Sequence, residues 1–139
     1  HGAMVVKKSL LESRPYPEKF RKSEDIPVFA HMITNGKVGC IDHVMARINK
    51  HPTSLRHTQN KNLEDYLEFV DEVFKTLPSE CANLMQRYSA QRCLSLFRSA
   101  AGSHHYDLAR VYFRQAVALD FRQTLKLSYI RKAIRVWLK

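Results

Sequence analysis

Two short stretches carry side chains that can do chemistry together. The first is Ser23-Glu24-Asp25, where two adjacent acids precede the apolar run Ile26-Pro27-Val28-Phe29-Ala30. A serine followed by acids is ordinary helix-start chemistry, with the hydroxyl as N-cap and the carboxylates on the positive end of the helix dipole. The same carboxylates, facing a cleft, would suit removal of a proton from a hydroxyl group. The second stretch is the loop His51-Pro52-Thr53-Ser54-Leu55-Arg56-His57. Its histidines, hydroxyls and arginine are the donor types that hold a diphosphate or ligate the metal bound to one. Read without context, it is also a polar surface loop. His104-His105 precede a helix with no evident carboxylate partner, and His31 and His43 have no companion ligands at metal spacing.

The elements that must position these residues change character near position 57. Before it, short extended and helical pieces alternate. Gly2 to Val6 reads as a small apolar strand, and Lys8 to Ser13 as a helical turn stopped by Pro15 and Pro17. Ser23 opens a helix to about Thr34, closed by Asn35-Gly36. Lys37 to Asp42 and Val44 to Lys50 read as two short strands. Beyond position 57 the pattern is helical. Leu63, Tyr66, Leu67, Val70, Phe74 and Leu77 form a stripe at helical spacing, ended by Pro78. Further helices are expected over Ser79 to Ala100, Tyr106 to Leu119 and Arg122 to Leu138. The segment from Gly102 to Asp120 has the look of the second helix of a tetratricopeptide repeat, present once. The expected fold class is α+β, mainly α, with residues 1–57 as one part and 58–139 as a C-terminal bundle of about four helices.

The 139 residues suit one domain or one domain with part of another, and 45% hydrophobic residues suffice for a core. No apolar run approaches the 20 or so residues of a membrane span, and no h-region of a signal peptide follows Lys7-Lys8. Cys40, Cys81 and Cys93, odd in number and without CxxC spacing, point to reduced thiols in the cytoplasm. The net charge of +10 attracts nucleic acid, anionic membrane or phosphorylated ligands alike. Six of the 13 acids lie between positions 64 and 80, whereas His104 to Lys139 carries eight Lys/Arg against Asp107 and Asp120. The last helix, FRQTLKLSYIRKAIRVWLK, either packs its apolar side internally or lies on an anionic membrane surface. No RNA-binding, zinc-finger or helix-turn-helix pattern accompanies the charge, so nucleic acid is not expected as a partner.

In order, these pieces resemble bacterial family 2 glycosyltransferases of surface-polysaccharide assembly. HGAMVVKKSLLESRPYPEKFRKSEDIPVFAHMI is similar to that family's acceptor-side segment, which ends in an ED motif and its helix. NGKVGCIDHVMARINKHPTSLRH is similar to the segment that follows, and LEDYLEFVDEVFKTLP with the later hairpin to a helical C-terminal extension. The resemblance implies a GT-A fold and inverting transfer of a sugar from a nucleotide-sugar donor to a glycan acceptor. It implies Asp25 as general base with Glu24 supporting the acceptor, His51 near a divalent metal (Mg or Mn), and Ser54, Arg56 and Arg47 near the donor phosphates. The family usually has an arginine two positions before the histidine; here Asn49 holds that place and Arg47 stands four before. No Asp-x-Asp metal motif occurs in these residues. The resemblance therefore makes the chain the acceptor-side part of such an enzyme, partnered by a missing N-terminal nucleotide-binding half, inactive alone, and working in the cytoplasm at the inner face of the membrane. A non-enzymatic helical module that binds protein or a membrane surface is the alternative, and a basic nucleic-acid-binding domain a more distant one.

Overall fold

The computed structural model describes residues 5–20, 23–47 and 63–139. Among them six α-helices account for the regular structure, with two 3-10 turns and no strand. The chain is thus mainly α. The helices are α1 (Lys8–Glu12), α2 (Asp25–Asn35), α3 (Leu63–Phe74), α4 (Met85–Gly102), α5 (Tyr106–Thr124) and α6 (Leu127–Trp137). They belong to two compact units. The end of α3 with the loop after it, Asp71–Ser79, goes with the first, and the start of α3 goes with Glu80–Lys139 in the second.

In the first unit, α1 lasts little more than a turn before Pro15 and Pro17. The Ser13 hydroxyl donates to the Leu10 carbonyl at 2.8 Å and closes it. The chain then passes Arg14, which is only 8% exposed. Its guanidinium forms an ion pair with the Glu72 carboxylate and donates to the Glu72 carbonyl at 3.0 Å. A buried charge held by both a carboxylate and a backbone oxygen ties the segment ahead of α2 to the end of α3. Phe20 on a 3-10 turn, and Pro27, Val28 and Met32 on α2, supply the apolar core. Pro27 is tolerated because it lies in the first turn, where its absent N–H would have had no helical acceptor.

The end of α2 departs from the expected C-cap. Gly36 adopts φ −125° and ψ 163°, an extended conformation open to any residue. What requires glycine is space. A Cβ here would meet the Met32 carbonyl oxygen and Leu10 Cδ2, each at 2.9 Å. The leucine methyl can move, but the helix carbonyl cannot without disturbing α2. Gly36→Ala is expected to destabilise the protein by about 1–3 kcal/mol, read as a lowered urea midpoint at unchanged slope.

The strands expected over 37–42 and 44–50 are not formed among the described residues. Positions 37 to 47 carry no regular structure, and Val38, Ile41, Val44 and Met45 are 63–95% exposed. Two short strands alone bury neither face, and without a third strand or a helix against them the pairing is marginal. Val5 and Val6 are likewise outside any strand, and Val5 is fully exposed. Gly2 to Met4 and Ile48 to Lys50, the remainder of those calls, lie outside the described residues.

The second unit is built on the α4–α5 hairpin. Ala90, Cys93, Leu94, Phe97 and Ala100 of α4 face Ala109, Tyr112 and Ala116 of α5, all buried. Alanines at these positions let the helices approach while Phe97 and Tyr112 fill the space between them. The helices run antiparallel, so that Gln91 near the start of α4 donates to Gln123 near the end of α5 at 3.2 Å. Residues 103–105 make the turn. His104 takes the left-handed conformation (φ 61°) and the His105 amide returns to the Ala100 carbonyl at 2.9 Å. Tyr66, Phe69 and Val70 of α3 are also buried, and Arg92 of α4 lies over the Phe69 ring at 5.0 Å.

The helix expected from Arg122 to Leu138 is two pieces. Asp120 breaks α5 with φ −156° and ψ 93°. Its carboxylate accepts from the Arg122 amide at 3.1 Å and from the Gln123 side chain at 3.2 Å. Asp120 is therefore an N-cap for one more turn ending at Thr124. The chain breaks again at Lys126, whose extended backbone precedes α6. α6 rests on the hairpin through Val136, Tyr129 and Trp137, with ring centroids 6.5 Å apart for Phe97–Tyr129 and 5.6 Å for Phe113–Trp137.

Candidate functional site

The paired acids stand at the head of α2, and the helix start is not the one the serine suggests. Ser23 lies in a turn whose amide donates to the Phe20 carbonyl at 3.0 Å, and its own carbonyl accepts from Ile26 at 3.1 Å. The N-cap position falls on Glu24, which has a right-handed helical backbone and makes no side-chain cap. Asp25 is the first helical residue. Both are half-buried. One carboxylate oxygen of Glu24, Oε2, is enclosed and has no hydrogen-bond partner among the described residues. A buried carboxylate oxygen without a donor is costly, and such groups gather where a ligand or reacting group supplies what the fold does not.

The position of this pair is set by its surroundings in the first unit. The Arg14–Glu72 contact and buried Phe20 fix the approach to α2. On the helix itself, His31 is held by the Ser13 hydroxyl at 3.1 Å and by Asn35 at 3.2 Å. His31 is thus engaged in hydrogen bonds within the first unit.

Of the other expected site residues, Arg47 lies exposed at the end of the irregular segment 37–47. His51, Ser54 and Arg56 lie outside the described residues. Among the described residues Glu24 and Asp25 stand side by side at the head of α2, and Arg47 lies on the irregular segment 37–47. No group of three or more His, Cys, Asp or Glu suited to a metal ion occurs among the described residues. The divalent metal expected from the resemblance has its one named ligand, His51, outside them.

A feature not singled out from sequence is an open cleft of about 430 Å³ in the second unit, where His104, His105, Asp107, Arg110 and Lys139 meet. The two histidines, read as a solvated helix start, line it. His104 Nδ1 is 2.8 Å from the Tyr106 hydroxyl, and Arg110 pairs with Asp107 at 2.8 Å while also donating to the Val136 carbonyl at 3.0 Å. Arg110 therefore joins the start of α5 to the end of α6. The spacing Asp107 to Arg110, one helical turn, was the available signal.

The three cysteines differ in environment. Cys40 is exposed, Cys81 half-buried and Cys93 buried. Burial pushes the Cys93 thiol up from its ordinary value, partly offset by a hydrogen bond with Tyr66. Tyr66 is itself raised by burial, and its hydroxyl donates to the Ser89 carbonyl. The thiolate is the reactive form. Iodoacetamide should therefore modify Cys40 in the native protein and Cys93 only after denaturation, as followed by peptide mass spectrometry.

Comparison with known protein families, curated proteins and solved structures gives no match to the chain. The fold defines a mainly helical protein with a bundle-like second unit. Among the described residues no helix is long and apolar enough to cross a membrane.

Proposed function

We propose that this chain is the acceptor-side portion of an inverting glycosyltransferase of polysaccharide assembly. The observation that carries the proposal is the pair Glu24-Asp25 at the head of α2. Glu24 makes no side-chain cap, and its Oε2 is enclosed with no hydrogen-bond partner among the described residues. In this reading residues 1–57 belong to the GT-A catalytic domain, and 58–139 form a helical extension whose hairpin is tetratricopeptide-like. Asp25 accepts the proton of the acceptor hydroxyl as that oxygen bonds to the anomeric carbon of the donor sugar. The bond from that carbon to the nucleoside diphosphate breaks, and its electron pair leaves with the diphosphate. Glu24 orients the acceptor through hydrogen bonds to its hydroxyls.

The donor side of the reading rests mostly on residues beyond the described ones, with Arg47 the exception. His51 would approach the divalent metal, and Ser54, Arg56 and Arg47 the donor phosphates. Such a metal neutralises charge on the departing diphosphate. The nucleotide-binding half would come from outside these 139 residues, and the chain alone would not turn over. The test is an assay of the complete polypeptide with Mg or Mn, a panel of nucleotide-sugars and glycan acceptors, read as nucleoside diphosphate release. Release with acceptor-dependent transfer is expected. Absence of release from every donor would sink the enzyme reading and leave a helical interaction module.

A further inference from the structure

We propose that α6 lays one side of itself on an anionic lipid surface. This inference does not rest on the glycosyltransferase reading. At 100° per residue, α6 divides into three arcs. One holds Tyr129, Ala133 and Val136 and faces the hairpin; Val136 is 2% exposed. The next holds Trp137, Ile130, Ile134, Leu127 and Leu138, with exposures of 42, 38, 54, 70 and 80%. The third holds Arg131, Arg135 and Lys132, all exposed. The exposed apolar strip thus lies directly beside the cationic arc, and every large side chain in it is branched or aromatic.

The chain leading into α6 continues the pattern. Phe121 and Leu125 are 56 and 60% exposed, and Arg122 and Lys126 stand beside them in sequence. From Phe121 to Lys139 there are six Lys/Arg and no Asp or Glu. This charge selects the occupant. An apolar strip flanked by cations, with no acid within its own helix, complements a bilayer whose headgroups are anionic and whose acyl boundary lies just beneath. A second copy of the same surface would oppose cation to cation. α6 is 11 residues long, about 16 Å, so it lies along the surface and cannot span a hydrocarbon core of about 30 Å.

The 139-residue chain provides its own probe, because Trp137, at the edge of the strip, is its one tryptophan. The experiment mixes it with phosphatidylglycerol–phosphatidylcholine vesicles and with pure phosphatidylcholine vesicles. Cosedimentation with the mixed vesicles and a blue shift of Trp137 emission are expected, both weakening at high salt. Leu127→Ser with Ile134→Ser replaces side chains that are 70 and 54% exposed, so the far-UV spectrum should stay as it was and melting should change little. Its partition should fall at least about tenfold. Arg131→Gln with Arg135→Gln should lower partition about fivefold per cation, or about 25-fold together. Equal binding to neutral vesicles, no binding to either kind, or unchanged partition of both variants would overturn the proposal. So would self-association in solution abolished by Ile134→Ser in a chain that ignores vesicles, which would assign the strip to a second copy.

Discussion

Phe97→Ala is expected to remove about 3–5 kcal/mol of stability. The ring is fully buried, tilted against Phe113 at a centroid distance of 5.0 Å and against Tyr129 at 6.5 Å. It is therefore shared by three helices. The buried neighbours Ala100, Ala109 and Ala116 have no side-chain length with which to refill the space, so the cavity would persist and carry its own cost. Trp137, stacked edge-on against Phe113, reports the loss directly. Urea unfolding followed by its fluorescence should show the midpoint falling sharply for Phe97→Ala. Phe121→Ala, at a ring 56% exposed, should stay within about 1 kcal/mol. Similar midpoints for the two variants would mean that the hairpin core does not hold this unit together.

Much of the helical unit was legible because its signals are local. The apolar stripe from position 63 onward, the break at Gly102 and the end of a helix at Leu119 all depend on near neighbours in the chain. The helix expected to reach Pro78 ends at Phe74, and the one expected from Ser79 opens as a 3-10 turn and becomes α-helical only at Met85. The stripe's phase was only partly legible. Phe69 and Val73, not in the stripe, are buried, whereas Leu67 is 47% exposed, because packing decides which edge of an amphipathic face is covered. The second break, at Lys126, has neither glycine nor proline to mark it. Asp120 was visible as a residue but not as a cap, since that role depends on its own backbone leaving the helix.

The first unit was less legible for a physical reason. Its main tether joins Arg14 to Glu72, 58 positions apart, and no periodicity encodes that pairing. The β-branched residues between Lys37 and Arg47 have local strand propensity, but a strand needs a partner to satisfy its backbone, and none is formed among the described residues. At the candidate site the setting of the acids differs from the one expected from sequence. Ser23-Glu24-Asp25 reads as a hydroxyl cap followed by dipole-stabilising acids. In the structure the cap position has passed to Glu24, which performs no capping.

That difference sets what Asp25→Asn should do in the complete polypeptide. General base catalysis contributes roughly 10²–10⁴-fold, so kcat should fall by that factor, or about 3–5 kcal/mol of transition-state stabilisation. Asparagine keeps the shape and the polarity of the helix start and gives up a charge–dipole term of about 0.3–1 kcal/mol. Stability should therefore move far less than turnover. The KM for the nucleotide-sugar should also be unchanged, because in the proposed reading the carboxylate acts on the acceptor hydroxyl and not on the donor. Glu24→Gln should instead raise the acceptor KM with a smaller loss in kcat, as expected of a residue that orients the acceptor. A merely structural role reverses the pattern: Asp25→Asn would lower the urea midpoint and leave turnover intact. Full turnover by Asp25→Asn would remove the base assignment, whatever the fate of the donor site.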